Sequence, residues 1–351
     1  MIAFRLDANS SVATGHMFRC ISIAKKCRLK GKECIFLLAE DEYTEILRSE
    51  GFQYKILNIK WDDWDYGINV VKESLKECKA ECLVVDSYRA TAGFFNELSK
   101  EIPIFYMDDL CTEVYELSAV LHYSEWENEH ILADLYSGKD VKVYSGMQYM
   151  PLRDLFEKEF KEIEKKYSIL ITTGGSDTYH ITLKLIEALI EDERLSQESI
   201  CAVLGKMNTD REEIEKISRE HSNICVMQNI SNMDEVMGQS QYAVTAGGNT
   251  VYELMACGVP FICFGFSNDQ RYFGRRLEEH GNAIWAGDAR DGIENLISNI
   301  VAGLRKLTDT DMEKQREHIK RNRALIDGRG CARIADIVIE LCKEKDNYAN
   351  E

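Results

Sequence analysis

The sequence predicts an α/β protein made of two doubly wound parallel sheets. Three observations carry this expectation. Short, near-continuous apolar runs alternate with helix-period segments, the alternation restarts near mid-chain, and 351 residues exceed what one core comfortably organises.

In the first half, "IAFRLDA" (2–8), "CIFLLAE" (34–40), "YKILNI" (54–59), "CLVVD" (82–86), "IPIFYMDD" (102–109) and "VKVYSG" (141–146) read as strands. Helix-period segments at 16–30, 41–50, 67–80 and 91–100 separate most of them. After "GMQYMPLRDLFEKEFKEIEKK" the pattern begins again. "SILITTGG" (168–175), "ICAVLG" (200–205), "ICVMQ" (224–228), "YAVTAGG" (242–248), "PFICFGF" (260–266) and "AIWAG" (283–287) are strands, and "CARIADIVIELCKEK" (331–345) reads as a closing helix. The expected domains are 1–150 and 151–351, with a linker near 147–165. Open parallel sheets bind ligands outside the carboxyl ends of their strands. Functional residues are therefore expected just after strands, in a cleft between the halves.

Composition narrows the partners. A formal net charge of −17 leaves no global footprint for nucleic acid or anionic lipid. Hydrophobic content of 45% and only three prolines exclude a disordered or fibrous chain. The N-terminal "MIAFRLDANS" reads as a strand, not as a signal peptide, and no apolar run reaches membrane-span length. Twelve cysteines lie scattered in apolar stretches without a CxxC pair, which points to reduced, buried thiols and a cytoplasmic setting.

Three loops of the second half carry candidate chemistry. "TTGGSD" (172–177) places Gly174 and Gly175 between a strand and a helix start, where backbone amides can meet an anion, although a tight turn needs the same glycines. "TAGGNTVYELMACGVP" (245–260) ends a strand in Gly247 and Gly248; Asn249 or Thr250 can cap the next helix, and free amides there suit a diphosphate. Glu253 follows about one turn later and suits a ribose diol, or else closes a capping box. "FGFSNDQ" (264–270) offers Asn268, Asp269 and Gln270 to sugar hydroxyls or an acetamido group, or serves as a polar turn and cap.

In the first half, Asp86, Tyr88, Asp108 and Asp109 follow strand ends, where aspartates also act as helix caps. Asp63 and Asp65 form a DxD triplet that reads as a solvated loop, since no other metal-ligating residues surround it. No cofactor is implied. His16 opens the first long helix, in "ATGHMFRC". The positive end of a helix dipole disfavours imidazolium, so the ring suits a general base; a surface cap is the plainer alternative.

Together these motifs resemble a known family. "FRLDANSSVATGHMFRCISIA", "VVDSY", "MDDL", "YSGMQYMPLRDLFE", "ILITTGGSDTYHITLKLIEAL", "NISNMDEVMGQSQYAVTAGGNTVYELMACGVP" and "LIDGRGCARIADIV" follow, in order over nearly the whole chain, the pattern of the UDP-2,4-diacetamido-2,4,6-trideoxy-β-L-altropyranose hydrolases of pseudaminic acid biosynthesis. That family resembles the peptidoglycan N-acetylglucosaminyl transferase, so the resemblance implies two Rossmann-like domains facing a cleft, the glycosyltransferase-B fold. It implies metal-free hydrolysis of a UDP-sugar by water. His16 matches the family's active-site histidine and Tyr88 the tyrosine of its D-x-Y motif. Gly248, Asn249, Thr250 and Glu253 match its UDP-binding G-G-x-T-x-x-E. Asp7 and Gly15, in the opening motif, join the expected substrate-binding residues with Gly174, Gly175, Gly247, Asn268, Asp269 and Gln270. Two positions depart from the pattern: Ala13 replaces the first glycine of G-x-G-H, and Asp269–Gln270 replaces N-Q before Arg271. A glycosyltransferase using the same UDP site, or a non-catalytic nucleotide-sugar binder, are the rival readings.

Overall fold

A computed structural model of the chain describes all residues except 13, 125, 127, 128, 158–162 and 349–351, and describes only the backbone of 344–348. The chain divides into two compact units: unit 1 comprises Met1–Asp154 with Gly328–Glu351, and unit 2 comprises Leu155–Asp327.

Unit 1 runs β1 (Ile2–Leu6), α1 (Gly15–Leu29), β2 (Cys34–Leu38), α2 (Thr44–Ser49), β3 (Gln53–Ile56), α3 (Ile68–Glu77), β4 (Cys82–Asp86), α4 (Ala92–Leu98), β5 (Ile104–Met107), β6 (Ala119–His122), α5 (Ile131–Leu135) and β7 (Lys142–Ser145). The strands form a parallel seven-stranded sheet in the order β3-β2-β1-β4-β5-β6-β7. The order reverses between β1 and β4, so the loops after these strands flank a switch point. The apolar runs are continuous because both faces are covered. Ile2, Phe4 and Leu6 pack with Met17, Ile21 and Ala24 of α1 on one face, while Ala3, Leu83 and Val85 pack with Trp64, Phe94 and Phe95 on the other.

Strand β6 has no counterpart in the sequence reading. "AVLH" is too short to show a period, and its strand character rests on pairing: Phe105 with Ala119 on one side, Ala119 with Lys142 on the other.

Unit 2 runs β8 (Tyr167–Thr172), α6 (Ile181–Glu191), β9 (Ile200–Leu204), α7 (Arg211–Glu220), β10 (Ile224–Gln228), α8 (Met233–Gly238), β11 (Ser240–Ala246), α9 (Thr250–Ala256), β12 (Phe261–Gly265), α10 (Asn268–Glu279), β13 (Ile284–Asp288), α11 (Ile293–Thr308) and α12 (Met312–Leu325). Its parallel six-stranded sheet has the order β10-β9-β8-β11-β12-β13, with the switch point between β8 and β11.

The expected boundary of 151–351 needs correction at its far end. The last helix, α13 (Gly330–Tyr348), belongs to unit 1. Its apolar stripe of Cys331, Ile334, Ala335, Val338 and Leu341 is buried with Cys20, Ile21 and Ala24 of α1, because the helix has one apolar face and α1 presents the complementary one. Gly330 starts it under a tight constraint: a Cβ there would lie 2.1 Å from the Met150 carbonyl oxygen. No helix among the described residues is long and apolar enough to cross a membrane.

Leu341→Ala should therefore destabilise the protein by roughly 2–5 kcal/mol, the usual cost of a buried leucine truncation. Amide hydrogen exchange should locate the loss in α1 and β1. Faster exchange confined to β8 and β11 would contradict this assignment of α13.

Candidate functional site

In unit 1, a polar cluster forms where β1, β4 and β5 end. His16, the second residue of α1, is only 5% exposed, so it is not a surface cap. Its Nδ1 lies 2.7 Å from Oδ1 of Asp86, the fully buried last residue of β4. Arg19 sits one turn further along α1 and binds both atoms of that carboxylate: Nε donates to Oδ2 at 2.5 Å and Nη2 bonds Oδ1. Its Nη1 donates to Asp109 Oδ2 at 3.0 Å and to the Tyr123 hydroxyl. Asp109 Oδ2 also accepts the hydroxyls of Tyr88 and Tyr123 at 3.1 and 3.0 Å. The Tyr88 ring meets the His16 imidazole edge-on, 4.8 Å between centroids.

Electrostatics fix the protonation of this cluster. Burial alone pushes a carboxyl up, but Arg19, followed by His16, brings Asp86 down to about 2. An ionised Asp86 accepts from imidazole Nδ1–H. Arg19 Nη2 also lies 2.9 Å from Nδ1; a guanidinium only donates, so the two contacts call for opposite tautomers of the ring. The carboxylate contact is the shorter, and with hydrogen on Nδ1 it pairs the ring with ionised Asp86. Nε2 then carries the lone pair, and no described residue bonds it. Burial, then the Asp109 carboxylate, pushes Tyr88 up to about 12, so at neutral pH it is a hydroxyl donor rather than a base.

The other candidates of unit 1 have local tasks. Asp7 is tied down by Arg5 Nη1 at 2.7 Å and the Ala39 amide at 3.1 Å, with Arg5 stacked 4.2 Å over Trp64. This joins the ends of β1 and β2 and leaves Asp7 outside the His16 network. Asp63 accepts the Tyr66 amide, Asp65 accepts the Thr91 hydroxyl, and Asp108 caps the amides of Leu110 and Cys111. A Cβ on Gly15 would meet nothing within 4 Å, so the helix start beside His16 borders open space. Ala13 lies outside the described residues.

In unit 2, a cavity of about 210 Å³ opens between the loops after β8, β11 and β12. It brings together Gly174, Gly175, Gly248, Asn249, Thr250 and Gln270. Gly174 has φ +97°, a conformation L side chains rarely adopt. Behind the loop, a Cβ on Gly205 would lie 2.2 Å from the Gly175 carbonyl, so two backbones meet without side chains between them. Asp177 accepts the amides of Ile181 and Thr182 and thus caps α6.

The donors differ from the sequence expectation. Gly247 donates its amide to the Phe264 carbonyl and Gly248 donates to that of Ala246, so these two glycines shape the turn. The amides of Gly174, Gly175, Ser176, Asn249 and Thr250 bond no described group. Asn249 holds the N-cap position of α9 without a side-chain cap bond. Glu253 is half-buried on the first turn of α9 and, like Gly247, does not line the cavity. Asn268 and Asp269 are exposed on the first turn of α10; Ser267, not they, caps that helix. Gln270 reaches the cavity, and its Oε1 accepts the Phe266 amide at 3.0 Å.

Sequence reasoning missed Arg19 and Tyr123 as parts of the first cluster. Arg19 was signalled by its i+3 spacing from His16. Tyr123 follows the unrecognised β6 and gave no local signal.

The parallel sheets, the buried histidine pair and the glycine-lined cavity define a class: the chain has the glycosyltransferase-B fold. Its likeness to the crystal structure of Acinetobacter baumannii MurG has a TM-score of 0.68 at 14% identity, over 97% of this chain and 99% of that one. Residues 153–327, essentially unit 2, match the family model described as the glycosyltransferase family 28 C-terminal domain. More particularly, the chain is a distant homologue of the UDP-2,4-diacetamido-2,4,6-trideoxy-β-L-altropyranose hydrolase of Campylobacter jejuni, 24% identical over 295 residues, 81% of this chain and 98% of that protein. An uncharacterized protein of Methanocaldococcus jannaschii is 27% identical over 82% of this chain, which spans only 61% of that relative.

The buried charge cluster yields a stability test. Asp86→Asn leaves Arg19 without its main counter-charge and should cost roughly 3–5 kcal/mol in urea unfolding at neutral pH. The folded value of Asp86 lies below the ordinary 3.8, so its contribution is complete above that pH and is lost as pH falls through about 2. A penalty below about 1 kcal/mol, as for a surface pair, would refute this.

Proposed function

We propose that the protein releases UDP from a UDP-linked 2,4-diacetamido-2,4,6-trideoxy sugar, with water as acceptor, and that the free sugar feeds nonulosonic acid synthesis. The coarser reading, an enzyme of UDP-sugar chemistry, is supported by the family match and by the fold. The finer reading rests on the homologous hydrolase and on one observation above all: buried His16 Nδ1 lies 2.7 Å from the ionised Asp86 carboxylate, a pairing that directs the ring's Nε2 to the proton transfer.

In this reading the oxygen of water bonds to the anomeric carbon while that carbon's bond to the diphosphate oxygen breaks. The water proton passes to His16 Nε2, and UDP departs with the bonding electron pair. The free amides around Gly174, Gly175, Asn249 and Thr250 stabilise the departing diphosphate, as preorganised donors do. Tyr88, held protonated, shields and orients the imidazole edge-on. Glu253 takes the ribose diol, while Asn268, Asp269 and Gln270 face the sugar. No metal is required, and a cytoplasmic setting belongs to the same reading.

A glycosyltransferase is the second reading, favoured by the family 28 match and the likeness to MurG. Incubation with a panel of UDP-sugars, followed by NMR, separates the two. UDP release with free sugar and no added acceptor supports the hydrolase; release only with an acceptor supports the transferase.

His16→Asn should lower kcat about 10²–10⁴-fold, the usual loss for a general base, while UDP affinity stays within twofold. Near-normal kcat in the variant would remove the base role.

Glu253→Ala should weaken UDP binding about tenfold or more, the effect of losing hydrogen bonds to a charged group. Calorimetry showing a change under twofold would place the ribose elsewhere.

A further inference from the structure

Two aromatic rings edge the unit 2 cavity. Tyr179 and Phe266 both line it, with ring centroids 6.3 Å apart and planes tilted by 30°. Phe266 is 39% exposed, and Tyr179 is half-buried. An aromatic ring left open to solvent forgoes the free energy of burial, so a cavity edged by two such rings favours an apolar occupant. The same cavity is lined by Gly174, Asn249 and Thr250, whose amides bond no described group, so one space offers both anion donors and an apolar surface.

The ring geometry limits the occupant. A flat ring sandwiched between two others needs about 7 Å, twice a van der Waals contact, and 6.3 Å is too close. The 30° tilt likewise stops one planar base from lying flush on both faces. Methyl groups projecting from a puckered ring can touch both. Beside them, the Gln270 carboxamide oxygen is occupied by the Phe266 amide, which leaves its NH₂ group, with no described partner, to meet an acyl carbonyl.

We infer that Tyr179 and Phe266 form a specificity wall for the methyl groups of a deoxy, N-acetylated sugar, selecting it over a fully hydroxylated one. This rests on the proposed UDP-sugar function and names the part of the sugar that the site reads. The selection operates through apolar contact: methyl groups gain by covering the rings, and hydroxymethyl or hydroxyl groups in the same position, which keep their water, do not.

Calorimetry in the His16→Asn background, where turnover is slowed about 10²–10⁴-fold, tests the wall. The probes are UDP, UDP-glucose and a UDP-linked 2,4-diacetamido-2,4,6-trideoxy sugar. The parent should prefer the methyl-rich sugar over UDP-glucose. Phe266→Ala should weaken binding of the methyl-rich sugar about tenfold, since each buried methyl contributes about fourfold. UDP binding should stay within twofold, and Phe266→Leu should restore most of the loss. Tyr179→Ala should act in the same direction. An equal loss for UDP alone would assign the rings to the nucleotide and overturn the inference, as would unchanged binding of all three probes. Failure of the wild-type protein to bind UDP would instead overturn the proposed function, and the wall with it.

Discussion

The buried pairing of Arg19 with Asp86 is the interaction on which the first unit's chemistry depends. Asp86 is fully buried at the end of a central strand, and an isolated carboxylate there would take up a proton. Arg19 prevents this because each of its three nitrogens finds an acceptor: Asp86 twice, then Asp109 and Tyr123. The cationic side chain reaches the strand ends because α1 starts beside β1 and places positions 16 and 19 on one face. The ionised carboxylate then faces His16 Nδ1 at 2.7 Å. The hydroxyls of Tyr88 and Tyr123 are then oriented through Asp109, so one ion pair sets the direction of four polar side chains.

Unit 2 works through close backbone approach rather than through charge. Gly205 allows the β8–α6 loop to rest on the end of β9, and Gly247 lets the β11–α9 turn bond the Phe264 carbonyl. With those bonds made internally, the neighbouring amides of Asn249 and Thr250 are left over. The same economy explains why a pair of glycines precedes the donors instead of supplying them. A substituted Cβ at Gly247 would stand 3.3 Å from Phe264 O, tight enough to disturb the turn that exposes the next two amides.

The return of α13 to unit 1 makes the unit discontinuous in sequence. Its stability therefore rests on residues more than 300 positions apart: Cys20, Ile21 and Ala24 on one helix, Ile334, Ala335 and Val338 on the other. Cys331 adds a thiol contact to the Leu152 carbonyl at 3.2 Å, closing the helix against the segment where the first half ends. Such long-range packing contributes as much to the strand-end geometry as the local helices do, because α1, which carries His16 and Arg19, is covered by it.

Sequence alone determined the parallel two-sheet class, twelve of the thirteen strands among the described residues, and the loops on which candidate residues lie. These features are local: apolar runs, helical period and glycine placement are written in consecutive residues. It also singled out His16, Tyr88 and the glycine loops, through motif spacing and family resemblance. Only the tertiary structure decided which of these side chains meet. The Asp86 pairing spans 70 positions and the Arg19–Asp109 pairing 90, beyond any spacing rule. It decided that Arg5 and the Ala39 amide hold Asp7, that Gly247 and Gly248 use their amides in the turn, and that β6 exists because two neighbours pair with it. The closing helix read correctly as a helix, but its partner was undetermined, since an apolar face specifies burial and not which surface buries it.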